Sequence, residues 1–269
     1  MSESFFEPEG EGRYRSTELT RGPWDPDSQH AGPPAALIGR EIEGLGGGRI
    51  GGEDGPVAQV GRVTYEILRP VPIAPLSVSA EIVRPGRSVE MVEATLSSDD
   101  GPLVRATAWR LRTTEVEFED SAGRPEPPPG PDEGDEGEFF HTGYDVGYHT
   151  AMEYRFVSGA FMEPGPATVW MRSTVPLLPD EELTPLQRVL VAADSGNGVS
   201  SALDWRSYLF INVDLSVHLH RMPEGEWVCL DAVTLPEHNG VGIADTRLLD
   251  QRGQIGRGVQ TLLVGERKG

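Results

Sequence analysis

"PPAALIGREIE" (residues 33–43) and "PLQRVLVAADS" (residues 185–195) stand 152 residues apart, and each opens on a proline that leads into an apolar run. The fixed φ and missing N–H of proline suit the first turn of a helix, so both stretches are read as helices. The same offset carries Gly46 onto Gly198, Arg69 onto Arg221, Ala80 onto Ala232, Val89 onto Val241, Leu96 onto Leu248, Gly101 onto Gly253, Arg105 onto Arg257 and Leu111 onto Leu263. Beyond each helix lies a glycine-rich break, then runs that alternate with period two. In the first half these are "GRVTYEILRP" (61–70), "LSVSAEIVRPG" (76–86), "SVEMVEATLSSDDG" (88–101) and "PLVRATAWRLR" (102–112). In the second they are "VDLSVHLHRMP", "EWVCLDAVTLP", "GVGIADTRLLDQRG" and "QIGRGVQTLLV". The turns "SDDG" and "DQRG" fall at equivalent places. Each half is expected to be one helix followed by an antiparallel meander, with "GRYRSTELTRG", "TAMEYRFVSG" and "ATVWMRSTV" adding opening or edge strands. The fold class is α+β.

Residues 115–138 hold ten acids and one arginine, a net of −9 out of −20 for the chain, and are rich in proline and glycine. They are expected to be a solvated linker between an N-terminal repeat (12–114) and a C-terminal repeat (139–265). The first dozen residues are expected to be mobile. An excess of 43 acids over 23 basic residues opposes nucleic acid and anionic membrane as partners. The start lacks a signal-peptide pattern and no apolar run approaches the length of a membrane span, so a cytoplasmic protein is expected. Cys229, the one cysteine, lies between Val228 and Leu230 and is read as a small buried hydrophobe, with no disulfide framework available. The five tryptophans are assigned to core and interface packing. "GLGGGRIGG" (44–52) follows a helix instead of preceding one, which makes it a loop and not a phosphate cradle.

A helix wrapped by an antiparallel sheet and then repeated resembles the tandem double hot-dog fold of the acyl-CoA thioesterases related to thioesterase II. The residues that carry the resemblance are "HAGPPAALIGREIE" with "ILRP" in the first half, and "FINVDLSVHLHR" (210–221), "LDAVTLP" (230–236) and "GRGVQTLLV" (257–264) in the second. The resemblance implies hydrolysis of acyl-CoA thioesters to free acid and CoA, with Asp214, Gln260 and Thr234 as the catalytic set. His30-Ala31-Gly32-Pro33 stands where the family carries a double glycine. The resemblance also implies an acyl-CoA substrate, no cofactor, and a possible homo-oligomer. The rival reading is a non-catalytic acyl-CoA or lipid-binding protein on the same scaffold.

Thioester hydrolysis needs a positioned water, a base and donors for the oxyanion. Asp214 offers the carboxylate, while Gln260 and Thr234 would orient the water without contributing charge. The helix beginning near Pro33 would present unpaired N–H groups and a partial positive charge, with Gly32 and Ala35 or Ala36 as amide donors and His30 beside them. Strict alternation in "VDLSVHLH" puts Val213, Leu215, Val217 and Leu219 on one face and Asp214, Ser216, His218 and His220 on the other. Only a bulge or a late strand start would turn Asp214 inward. The pair His218 and His220 has a spacing some metal sites use, but surface histidines share it and no metal is expected. Arg69, Arg84 and Arg87 are available for phosphates without any one of them being singled out.

Overall fold

The computed structural model describes residues 3–52, 54–118, 126–137, 139 and 141–267. The alternating runs of the first half form β1 (Phe6–Gly10), β2 (Arg13–Ser16), β3 (Ala58–Ile67), β4 (Pro75–Arg84), β5 (Val89–Ser98) and β6 (Gly101–Arg112). Those of the second form β7 (Asp135–Glu136), β8 (Met152–Ala160), β9 (Glu163–Ser173), β10 (Tyr208–Asn212), β11 (Asp214–Leu219), β12 (Val228–Pro236), β13 (Val241–Asp250) and β14 (Gly253–Glu266). All join one antiparallel sheet in the order β1-β2-β4-β5-β6-β3-β11-β14-β13-β12-β9-β8-β7, with β10 paired to β14. Strands β5 and β13 begin and end 152 residues apart. Gly101 and Gly253 turn the hairpins that follow them at φ of 108° and 111°, a region open to a residue without Cβ.

The two halves meet where β3 pairs with β11. Thr64 stands opposite Ser216 there, their hydroxyls 3.0 Å apart, and these two residues are themselves 152 positions apart. Helices α1 (Gly32–Gly44) and α2 (Pro185–Ala193) pack on each other and on the sheet, α1 against β3–β5 and α2 against β9, β12 and β13. Helix α2 starts with a reciprocal cap: Gln187 N–H donates to Thr184 Oγ1 and Thr184 N–H to Gln187 Oε1.

The helices run antiparallel. Gly32 at the start of α1 lies against Val191 near the end of α2, Gly39 lies against Leu186 and Leu190, and Thr184 Oγ1 donates to Glu43 Oε2 at 2.7 Å at the far end. Close approach depends on the two glycines, seven residues apart and so on one helix face. A Cβ on Gly32 would stand 2.2 Å from the Val191 carbonyl oxygen, and one on Gly39 would stand 2.3 Å from Leu190 Cδ1. Antiparallel packing brings the residues just before α1 beside those just after α2.

Two expectations about the chain's course need correction. The N-terminal dozen is tied into the fold from Phe5: Phe5 N–H donates to Pro176 O and Phe6 N–H to Leu177 O, and both rings are fully buried. Part of 115–138 is likewise more than a tether. Pro131 is buried, Trp170 Nε1 donates to Pro129 O at 2.8 Å, and β7 pairs with β8. Residues 119–125 and 138 of that stretch lie outside the described residues. Among the described residues no helix is long and apolar enough to cross a membrane.

Candidate active site

A local slip in strand pairing creates the site. Ser216 of β11 pairs with Val259 of β14, whereas Asn212 of β10 pairs with Leu262. Four steps along one strand therefore face three along the other, which is a bulge at Val213–Asp214. One extra residue reverses which side chains face inward. Below the bulge Leu215, Val217 and Leu219 are buried, and above it the inward position passes to Asn212.

Asp214 is turned to a different task. Its Oδ1 accepts the backbone N–H of Thr261 at 2.6 Å, a donor that falls in the gap between the two stretches of β14 pairing. An unpaired amide there would cost stability, so the carboxylate completes the bulge, and Asp214 is not among the residues that line the cavity described below. Thr234 is buried, but its hydroxyl pairs with that of Ser200 at 2.9 Å and does not line the cavity described below. Among the described residues no cluster of His, Cys, Asp and Glu suits a metal, and His218 and His220 are exposed.

The carboxylate that enters the site is Asp194, the residue that ends α2. Its Oδ1 accepts from Asn212 Nδ2 at 2.8 Å and from Gln260 Nε2 at 3.1 Å. Gln260 also donates to Asp194 O at 3.1 Å and accepts Asn197 N–H on Oε1 at 3.1 Å, so its amide has a fixed orientation. Asn197 belongs to α3 (Gly196–Val199), which lies close on the sheet because position 196 has no side chain. A Cβ there would meet Thr246 Oγ1 at 2.4 Å. Both donors sit on Oδ1, which leaves Asp194 Oδ2 for a further partner.

His30 stands on that side, its Nδ1 3.4 Å from Asp194 Oδ2. The imidazole lies flat on the Tyr148 ring, with centroids 3.8 Å apart and planes 4° apart, and Tyr148 OH donates to Val191 O at 2.8 Å. Gly32 N–H donates to His30 Nδ1 at 3.1 Å. This removes Gly32 as an oxyanion donor: its amide is committed to His30, and its missing side chain serves the approach of α2. Ala35 is removed too, since its N–H donates to Ala31 O within the helix.

These groups face a cavity of about 370 Å³. Asp194, Asn212, Gln260 and His30 are among the residues that line it. The lining also includes Trp24, Leu68 and Ile211, each about half exposed, and Tyr148, Tyr154 and Phe161, each nearly closed to solvent. The cavity therefore has a mouth and an aromatic floor.

Subtracting 152 from Asp194, Asn212 and Gln260 gives Ile42, Val60 and Ala108, all buried in the core. The first half thus carries apolar filling where the second carries polar groups, and the polar set occurs once.

Burial lowers the pKa of His30 below its ordinary value, against the opposing pull of Asp194, and burial alone lowers that of His149. A histidine whose folded pKa is depressed leaves the unfolded chain binding more protons as pH falls through about 6.5. Stability is thus fully present above that pH and declines below it, by at most about 1.4 kcal/mol per pH unit for one group. His30→Phe keeps a ring on Tyr148, and we expect its urea-unfolding free energy to fall less steeply between pH 7 and 5 than that of the wild type. Parallel curves for the two proteins would refute this.

A carboxylate held by two carboxamides beside a partly apolar cavity is an arrangement that can position a water. Residues 20–111 match the family model for the acyl-CoA thioesterase N-terminal domain and residues 119–264 that for the C-terminal domain. The chain belongs to the acyl-CoA thioesterase family and is a thioester hydrolase. Its fold is similar to that of a putative thioesterase II from Thermobifida fusca YX, at 18% identity over 97% of this chain and 95% of that one, TM-score 0.74. A putative thioesterase from Novosphingobium aromaticivorans DSM 12444 is similar at 18% identity, over 98% and 99% of the two chains, TM-score 0.72. A hot-dog-fold protein from Alicyclobacillus acidocaldarius is similar at 16% identity, over 98% and 96%, TM-score 0.71. No match was found among curated protein sequences.

The sequence reading missed Asp194 and Asn212. Asp194 had a signal: a carboxylate at a helix C-terminus opposes the macrodipole, and a local rule broken beside an apolar "LVAA" run points to a functional demand. Asn212 had none, because its orientation depends on a bulge that alternation does not reveal.

Proposed function

We propose that Asp194, with Asn212 and Gln260, activates a water for attack on an acyl-CoA thioester, in a tandem double hot-dog scaffold. The observation that carries this reading is a cavity-lining carboxylate whose Oδ1 is held by two carboxamides while Oδ2 accepts from neither. The water oxygen bonds to the thioester carbon as its proton passes to Asp194 Oδ2. Collapse of the tetrahedral intermediate breaks the C–S bond, and the proton returns to the departing thiolate or to solvent. A carboxamide has two N–H donors, and Asn212 spends one on Asp194, which leaves the second for the carbonyl oxygen. Both N–H groups of Gln260 are already used, so its role is to hold Asp194. The acyl group lies toward the aromatic floor.

Release of free thiol from a series of acyl-CoAs tests the reading directly. Asp214→Asn, which changes the carboxylate that the family resemblance names, is expected to retain kcat within about threefold, since the Oδ1 it keeps can still accept from Thr261 N–H. Failure of wild-type protein to release thiol from any chain length, or loss of turnover in Asp214→Asn with the fold intact, would overturn it.

A further inference from the structure

Trp24, one of the half-exposed residues that line the cavity, is 51% exposed where core and interface packing was expected, and its ring lies 5.9 Å from that of Trp205, tilted by 55°. A guanidinium accompanies each: Arg267 lies 5.8 Å from the Trp24 ring centre and Arg206 lies 5.4 Å from that of Trp205. Arg267 is fixed in place, because its Nε donates to Trp205 O at 2.8 Å and Tyr208 O at 3.1 Å. Neither arginine pairs with a carboxylate among the described residues. The nearby Asp204 accepts instead from Arg206 N–H at 3.0 Å and Ser207 Oγ at 3.1 Å. Two guanidiniums that hold no carboxylate among the described residues thus stand over the paired indoles.

A CoA thioester is chemically two-ended. Its acyl group is apolar, while its other end is a purine carrying a diphosphate and a 3′-phosphate. The inner cavity is aromatic and closed, so the charged end must remain at the mouth when the thioester carbon reaches Asp194. We propose that this rim is the nucleotide subsite: the purine lies on the open surface of Trp24, and Arg206 and Arg267 take the phosphates. The proposal rests on the reading of the cavity as a thioester site and deepens it, by assigning recognition of CoA to four residues of the 24 and 205–267 segments.

The test compares one acyl group presented on CoA and on pantetheine, which lacks the nucleotide. Arg206→Gln removes an exposed charge that holds no other element, and Arg267→Lys keeps a charge but loses the fixed fork. The double variant is expected to raise KM for acyl-CoA about tenfold or more at low salt, with kcat and the acyl-pantetheine kinetics unchanged. In the wild type, KM for acyl-CoA should climb with added salt while that for acyl-pantetheine stays level. Equal KM for the two wild-type substrates, or a variant that shifts both alike, would overturn the subsite and leave the hydrolase reading standing. If neither thioester turns over, the hydrolase reading fails, and quenching of tryptophan fluorescence by adenosine 3′,5′-bisphosphate still decides the subsite. Quenching that the double variant abolishes supports it; no quenching in the wild type overturns it.

Discussion

Asp194→Asn is expected to lower kcat for acyl-CoA hydrolysis by about 10²–10⁴-fold while leaving KM and thermal stability close to wild type, the range that loss of a general base produces. The substitution is nearly isosteric, and its retained Oδ1 still accepts from Asn212 and Gln260. The new Nδ2 takes the position of Oδ2 and faces His30 Nδ1, which is already an acceptor toward Gly32 N–H, so packing need not change. The one thing removed is the capacity to receive the water's proton. Steady-state kinetics with thiol detection, together with a melting curve, separates this outcome from unfolding. A variant with kcat within threefold of wild type would mean that the base is elsewhere.

The neighbouring Gln260 gives a contrast in the same site. Its amide orients Asp194 from two directions, so its loss misplaces a base that is still present. The order of severity in kcat is then Asp194→Asn first and Gln260→Ala second, with Asp214→Asn close to wild type.

The order also shows which parts of the molecule the sequence made legible. The two helices, their proline starts and the eight strands that follow them can be read from periodicity, because the alternation of "VEMVEATL" and "GIADTRLL" is set locally by which side of a sheet is covered. Gln260 was named by the family resemblance and not by periodicity, and the structure places it buried beside Asp194. Asp214 came from the family resemblance, and alternation already sets it on the face opposite Leu215, Val217 and Leu219. What alternation does not show is that the inward face passes to Asn212, because it holds only while the pairing register is continuous. One extra residue at Val213–Asp214 exchanges the faces, and that event is decided by β14, some fifty positions away in the chain. Pairing of the N-terminal β1 was hidden in a different way. Its anchors are the backbone carbonyls of Pro176 and Leu177, which no pattern in "SESFFEPEG" can name.

Position 32 carries the second large expectation, because the site exists only while α1 and α2 touch. Gly32→Ala places a methyl group 2.2 Å from the Val191 carbonyl oxygen, a backbone atom in the last turn of α2 that cannot rotate away as a side chain can. Alanine would ordinarily strengthen a helix by up to about 1 kcal/mol over glycine, so the sign of the effect is set by the clash alone. We expect a net loss of about 3 kcal/mol or more in unfolding free energy, at or beyond the upper end of the cost of over-packing. Gly39→Ala is the control. Its methyl would meet the end of the Leu190 side chain at 2.3 Å, which a rotamer change can relieve, and a loss of about 1–2 kcal/mol is expected. The two variants should also separate in kinetics. Val191 lies three residues before Asp194 and receives Tyr148 OH, the ring on which His30 stacks, so displacing it moves base and histidine together. Gly32→Ala protein that remains folded should lose kcat more than Gly39→Ala protein does. Urea unfolding that gives equal losses for both would show that the α1–α2 contact yields at the carbonyl as easily as at the leucine, and that Asp194 does not depend on glycine at 32.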